Sequence, residues 1–279
     1  MISTFTENNK YKADCEQCFG LCCVALPYAK SADFAFDKDG GTPCPNLQAD
    51  YRCGIHTALR SKGFRGCTVY ECFGAGQKIS QVTYAGKDWR EHPGNAKEMF
   101  DVLPVMQQLY EMLYFLNEAM GLPETASIHE ELQAALTATE RLTDLSPASI
   151  LALDVPAHRA VVNDLLLKTS ERVRAGAVPP LPNARIQHKI SKGSDFIGAN
   201  LQGVNLRGAN LRGALLIASD LRKADIRKAD LIGADLRDAH LGGADLTGSI
   251  FLTQAQVNSA NGDRTTRLPA HLSIPEHWL

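Results

Sequence analysis

No cysteine occurs after position 72, although Cys15, Cys18, Cys22, Cys23, Cys44, Cys53, Cys67 and Cys72 crowd the residues before it. The last three quarters of the chain therefore hold neither a disulfide nor a thiolate site. The opening residues MISTFTENNKYKADC lack an apolar h-region, so no secretory signal is expected. A run of eighteen apolar residues is also missing, whereas a membrane-spanning helix needs about 20. Charge of one sign is missing too: 29 basic residues face 31 acidic ones, for a formal net charge of −2. That balance excludes a general attraction to nucleic acid or to an anionic membrane. The expectation is a cytoplasmic protein with neither nucleic acid nor membrane as partner. The stretch Gly74-Ala75-Gly76-Gln77-Lys78 lacks the spacing of a phosphate loop. No nucleophile–base pair and no carboxylate dyad emerges, so no catalytic or cofactor-binding residue is assigned and an enzyme is not the default reading.

What is present in the first 72 residues is a ligand set. In a chain without an export signal the thiols stay reduced. The spacing C-x-x-C-x-x-x-C-C over Cys15–Cys23 lets the chain turn so that two sulfurs face one ion. Adjacent Cys22 and Cys23 do not pair readily with each other, but they can serve two ions or one cluster. Cys44, Cys53, Cys67 and Cys72 can close the sites from elsewhere in the fold. His56, three residues after Cys53, is a further candidate ligand. Thiolates exclude magnesium and calcium. Two Zn(Cys)4 sites, one iron–sulfur cluster with spare thiols, or a mixture all fit the count; zinc is the first choice and iron or an Fe–S cluster the second. Such a segment has few large apolar residues, so metal binding would serve as folding free energy. The pattern CxxCxxxCC, then Cys44-Pro45-Asn46-Leu47, Cys53-Gly54-Ile55-His56 and Cys67-Thr68-Val69-Tyr70-Glu71-Cys72, resembles the zinc- or iron-chelating Cys-rich family over roughly residues 13 to 80. That family includes proteins associated with flagellin lysine N-methylation. This chain departs from it in lacking the family's Arg-Pro and in carrying His56 where a Tyr is usual, so no role of that Arg carries over.

Between Asp195 and Thr253 the sequence repeats every five residues. A large apolar residue recurs at Phe196, Leu201, Leu206 and onward to Phe251, and a small residue precedes each by two, as at Ala199, Ala209 and Ala214. A period of five is neither helical nor that of a strand; it points to a stacked solenoid. The motif A-(D/N)-L-x-G resembles the pentapeptide-repeat family, which implies a right-handed quadrilateral β-helix, here of about three coils. Some members of that family protect DNA gyrase by imitating duplex DNA. In this stretch, however, seven aspartates are matched by seven basic residues, and Arg207, Arg222, Lys223, Arg227 and Lys228 fall on two adjacent faces.

The segment ISQVTYAG, residues 79–86, reads as a short strand. Residues 94 to 176 read as helices. One carries Met106, Leu109, Leu113, Leu116 and Met120 inward and has Pro104 as a kink or fresh start. A second follows Ser127 as N-cap, and a third opens at Asp154 and Pro156 with Val161, Leu165, Leu166 and Val173 inward. The expected fold is thus multidomain α+β: a Cys-rich metal-binding module (1–92), a small helical bundle (93–176), a Pro-rich linker (177–193), the repeat β-helix (194–253) and a capping tail (254–279) in which Trp278 anchors the end. The functional expectation is an interaction or scaffold protein with Cys-ligated zinc or iron and a protein partner. The alternatives are an Fe–S or zinc enzyme acting on a protein or thiol, and a topoisomerase-protecting protein.

Overall fold

A computed structural model describes residues 11–177 and 191–279. The expected linker falls almost wholly on 178–190, outside the described residues. The chain forms two compact units. One runs to Gly121 and resumes over Ile128–Leu165; the other comprises Leu122–Ser127 and the chain from Leu166.

The first unit is helical. Helix α1 (Leu21–Ala25), α2 (Arg65–Thr68) and α3 (Ala75–Gln77) belong to the cysteine-bearing part. Helix α4 (Pro93–Met120) is the spine and runs unbroken through Pro104. It buries Met106, Leu109, Met112, Leu113 and Leu116 at helical spacing. Its neighbours are α1, α3, α5 (His129–Thr143) and α6 (Pro147–Leu151). Helix α7 (Val155–Ala175) follows.

Four local expectations are corrected. Residues 79–86 are not a strand: α3 continues as a π-helical turn over Lys78–Thr83. Consecutive Ile79 and Ser80 are both buried while Val82 is exposed, so the alternation a strand needs is absent. Ser127 does not cap α5, whose N-cap is Ile128 with no side-chain bond; its Oγ accepts from Arg172 Nε at 3.2 Å. Val161 is 60% exposed, and its neighbour Val162 takes the inward position. Helix α6 was not anticipated, although Ser146 caps it and Pro147 starts it, the usual opening signal.

In the second unit every pentad from Asp195 onward repeats one backbone unit. Its first residue pairs in parallel with the residue twenty further on, as in Asp195↔Leu215, Asn200↔Asp220 and Asp225↔Asp245. The second residue, apolar, points inward, and the fifth, small, is buried beside it: Leu211, Leu216, Leu221, Ala224, Ala229 and Ala239 are all 0–1% exposed. Each such Leu contributes about 1.5–3 kcal/mol by burial. The fourth residue has positive φ throughout, whether glycine, as at Gly198 (62°) and Gly233 (64°), or not, as at Ala218 (53°), Lys223 (59°) and Asp238 (58°). Hydrogen bonds such as Ala199 N–H to Phe196 O (3.0 Å) close the turn, whose third position requires that φ.

This geometry corrects the expected right-handed β-helix. Among the described residues there is no β-strand and no sheet; neighbouring coils meet at isolated bridges. The physical reason lies in the turns. A chain that turns every five residues never stays extended long enough for a strand to develop. The fold is helices plus a bridged coil column, not α+β.

The polar slots have defined work. Asp or Asn at the first position accepts the N–H two residues on, as in Asn205 Oδ1 from Arg207 N (3.0 Å) and Asp230 Oδ1 from Ile232 N (3.0 Å), an Asx turn. Arg222, Arg227 and Arg237 each clamp the Asp two residues before them, with Nη2–Oδ2 distances of 2.5, 2.6 and 2.7 Å. Lys228 reaches Glu124 at 3.0 Å. Three of the five basic residues read onto those two faces, Arg222, Arg227 and Lys228, are therefore paired from within this unit. At the far end α8 (Gln254–Ser259) closes the column with a capping box at Thr253. No helix of the described residues is long and apolar enough to cross a membrane.

Candidate metal centre

The cysteine loops are held by their neighbours, residue by residue. Asp14 caps the turn Cys15–Gln17, and its N–H donates to Gln77 Oε1 at 2.9 Å. Gln77 in turn donates to Lys12 O (2.9 Å), Gln81 to Gln17 O (2.9 Å), and Phe19 N–H to Ser80 Oγ (3.0 Å). The π-helical turn thus serves as the platform under C-x-x-C. Gly20 turns the chain into α1 with φ of 64°; a Cβ there would lie 2.6 Å from Leu47 Cδ1, so only glycine fits. Helix α1 is anchored by fully buried Leu21 and Val24. It carries Cys22 and Cys23 at successive positions, about 100° apart around the axis.

Cys72 precedes Gly74, the left-handed cap of α3. A Cβ on Gly76 would lie 2.7 Å from Cys18 Sγ and 3.8 Å from Cys72 Sγ, so both sulfurs rest against the same point of that helix. Cys44 N–H donates to Cys23 O at 2.9 Å. Cys44 Sγ accepts from Tyr28 Oη at 3.4 Å and Asn46 Nδ2 at 3.7 Å. Cys53 pairs across a turn with Leu47. Cys67 lies on α2, where the preceding Gly66 meets the Phe34 ring; that ring stacks on Tyr28 (4.3 Å), and Phe36 meets Phe64 (5.2 Å). Cys44 is buried, Cys15 and Cys67 are exposed, and the others are intermediate; all eight thiols are free.

The sulfurs themselves are desolvated to different degrees, including those of Cys15 and Cys67, whose residues as a whole are exposed. Burial pushes the Cys15 thiol up to about 11, and Cys18, Cys72, Cys23 and Glu71 add to it. Burial also raises Cys18, with Cys72 adding, while N–H groups of Leu21 and Gly20 and the Ser80 hydroxyl favour its thiolate. Cys72 is raised by burial against N–H groups of Gly76 and Gly74. Cys22 donates its S–H to Cys23, which holds Cys22 up and Cys23 down. Burial raises Cys53, against the Ile55 N–H and with Cys23 and Cys44 as neighbours. Burial pushes Cys67 up to about 12, helped by Cys23, Cys44 and Cys53 and opposed by Lys38.

Sequence reasoning missed Lys38, a residue 6% exposed. Its Nζ donates to the carbonyls of Val24 (3.1 Å), Asp39 (3.1 Å) and Thr42 (3.0 Å), which uses all three of its donors. Nothing in the local sequence marks it; only the fold brings it beside Cys44, Cys23 and Cys22. His56 is exposed on the turn His56–Ala58.

The donor set fits a soft cation, yet its spacing is open. A zinc ion with Zn–S bonds near 2.3 Å places its four sulfurs about 3.8 Å apart. Among the described residues, the trio of metal-capable side chains whose donor atoms all lie within 4.8 Å of one another is Asp88, Glu91 and His92, not any three cysteines. Asp88 Oδ1 there already accepts from the N–H groups of Arg90 (2.7 Å) and Glu91 (2.9 Å). That trio immediately precedes α4, with His92 at its N-cap.

Comparison with known proteins gives two findings. The family described as Pentapeptide repeats matches residues 194–231 and 214–251, in eight copies. The chain is similar to the uncharacterized protein YybG of Bacillus subtilis (strain 168), 66% identical over 277 residues that cover 99% of this chain and 98% of that one.

Proposed function

Because this chain belongs to the YybG family and carries pentapeptide repeats in its C-terminal region, we propose that it is a repeat scaffold for a protein partner whose cysteine-rich part is held by thiolate-bound metal. The observation that supports this most directly is that all eight cysteines are free, with Cys22 and Cys23 carried on α1 and Cys18 and Cys72 resting against Gly76 of α3. The residues around them have a small apolar core, centred on Leu21, Val24, Leu59, Phe64 and Ile79. Metal would supply the missing cohesion. The repeat column has a complete core of its own and needs no metal.

The column does not favour DNA mimicry. Asp220, Asp225 and Asp235 are each spent on an arginine two residues on, so no stripe of free carboxylates stands in for phosphate.

The test is metal analysis on full-length protein purified without oxygen, followed by chelation and hydrogen exchange. Chelation should deprotect residues 11–92 and leave 195–251 protected. A fully metal-free protein with an unchanged exchange pattern in residues 11–92 would overturn the reading. A second reading, an iron–sulfur enzyme acting on a protein or thiol, is favoured by the open sulfur spacing, since a cluster holds its cysteines wider apart than one zinc ion does. Iron with acid-labile sulfide in the same preparation would support it, and zinc without sulfide would sink it.

A further inference from the structure

We propose that helix α5 (His129–Thr143) is a self-association surface, on which a second copy of this chain docks its own α5 antiparallel, Glu130 of each copy facing Arg141 of the other. The proposal stands apart from the metal reading above and uses none of the cysteines.

The starting point is which face of α5 its own unit consumes. Leu132, Thr139 and Thr143 are buried, and the helix packs on α4. At about 100° per residue, the side directly opposite carries Glu130, Ala134, Thr137, Ala138 and Arg141. Glu130, Ala134, Ala138 and Arg141 are exposed and Thr137 is half-buried. Glu130, Ala134, Thr137 and Arg141 recur at alternating steps of four, three and four, the spacing of a seam between two helices. A shallow concavity runs along this side, lined by these residues with His129 and Gln133. Ala134 and Ala138 lie along it, where a solvated helix face ordinarily carries long polar side chains. Small residues at a contact let a second helix axis approach to about 8 Å.

The charges choose the occupant. Glu130 lies in the first turn of α5 and Arg141 in the last, and among the described residues neither has an ion-pair partner. The helix dipole favours an acid at one end and a base at the other, and it accounts for that much. It does not account for a seam that is its own complement. Turned end for end about the point between residues 135 and 136, the helix sets position 130 opposite 141, 134 opposite 137 and 133 opposite 138. Each seam charge then meets its opposite, while Ala134 meets Thr137 and Gln133 meets Ala138. A two-fold interface requires such self-complementarity. A parallel pair instead sets Glu130 against Glu130 and Arg141 against Arg141, and like charges facing each other are disfavoured. Glu131 and Glu140 also exchange places under the antiparallel rotation, but they lie about 180° apart around the helix, on opposite flanks of the seam.

One helix from each copy makes an interface at the small end of specific contacts, so the dimer is reversible, with dissociation in roughly the high-micromolar range. The experiment is sedimentation velocity on the full-length chain under reductant, over a concentration series. The wild type should dimerise reversibly, and less at high salt. Glu130→Arg and Arg141→Glu, both at exposed positions, should each weaken the dimer by at least about tenfold. Mixed in equal amounts, these two variants should associate with each other as the wild type does with itself, because each seam charge again faces its opposite. The double variant Glu130→Arg/Arg141→Glu should likewise self-associate. Ala134→Trp should weaken the dimer without touching a charge. A wild type that stays monomeric up to about 1 mM would overturn the proposal. A dimer that the two single reversals and Ala134→Trp leave unchanged would overturn its placement on α5. Preference of the double variant for the wild type over itself would overturn the antiparallel order, since only a parallel pair makes that mixture the complementary one.

Discussion

Arg212 and Asp230 form an ion pair inside the repeat unit, Nη1 to Oδ2 at 2.8 Å, with side chains only 5% and 0% exposed. Arg222, Arg227 and Arg237 clamp the Asp two residues before them and stay partly in water, and Arg227 and Arg267 reach Asp245 across coils at 4.0 and 3.7 Å from exposed positions; the Arg212–Asp230 pair crosses coils out of contact with water. Asp230 Oδ1 is committed to its own turn through Ile232 N–H, so the carboxylate is satisfied on both oxygens. Removing one partner of a buried pair strands the other charge, which costs about 3–5 kcal/mol. Asp230→Asn keeps the turn bond but removes the buried carboxylate charge that Arg212 faces, so it should lower the column's unfolding free energy by up to about that amount in urea denaturation. The double variant Arg212→Met/Asp230→Asn should lose clearly less than the sum of the two single changes. Additive losses would mean that the two charges do not act as a pair.

Acid should loosen the column in a defined window. The Arg222 hydrogen bond holds Asp220 down at about 2, and Arg227 lowers Asp225 in the same way. Asp235 is lowered by Arg237 against the opposing effect of burial. A carboxyl depressed in the folded state contributes stability above its ordinary pKa, about 3.9, and that contribution is lost as pH falls through the folded value. The column should therefore lose stability between about pH 4 and pH 2, more so at low salt, because these pairs are exposed and screened. With Arg222, Arg227 and Arg237 all replaced by Gln, the loss across that window should shrink. Tryptophan fluorescence in a Trp89→Phe background, which leaves Trp278 on the column end, reads the transition.

Much of this architecture was legible because the repeat writes its own slots. Inward apolar residues such as Leu211 and Leu216 and the small residues Ala214 and Ala224 were placed correctly from the period alone. What the period does not reveal is how long each side stays extended. That depends on the fourth residue of the pentad, where Lys223, Lys228 and Asp238 take a positive φ that their identities do not announce. The expected strands were misread for that reason. In the helices an error of one residue was enough to exchange Val161 for Val162, since both are apolar and either fits a helical stripe. For the candidate metal site, the cysteines were nominated by their spacing alone. Lys38 was not, because a lysine shows its burial only when Val24, Asp39 and Thr42 fold around it.

Two glycines in the same slot separate conformational cost from crowding. Gly213 and Gly208 have φ of 61° and 65°; a Cβ on Gly213 meets nothing within 4 Å, whereas one on Gly208 lies 2.5 Å from Ala177 Cβ. Gly213→Ala should cost about 1–2 kcal/mol, the left-handed penalty for a residue with Cβ. That the slot accepts a side chain at all is shown by Ala218 and Lys223. Gly208→Ala should cost clearly more, because the 174–177 segment must also give way. Thermal melting of the two variants checks the order, and equal shifts would mean that Ala177 moves aside freely.

The column's last coil is finished by the tail, and that finish should fail at Trp278 first. A coil with no successor leaves apolar side chains bare and backbone groups unpaired. Here Gln256 Nε2 donates to the carbonyls of Leu231 (2.9 Å) and Ala234 (2.8 Å). Asn261 O and Arg267 O accept the N–H groups of Leu241 and Leu246. Trp278, 5% exposed, then covers Gly262, where a Cβ would lie 2.5 Å from its ring, and its Nε1 donates to Ala260 O at 3.0 Å. Trp278→Ala removes the ring and leaves the Ala260 carbonyl dependent on His277 Nε2, 3.0 Å away. Large-to-small changes of this kind cost about 3–5 kcal/mol. Hydrogen exchange should show residues 241–252 losing protection in that variant while 196–216 stay slow, because a column of stacked coils frays from its end. Uniform loss along the whole column would mean that the coils open together and that the tail is not its weak point.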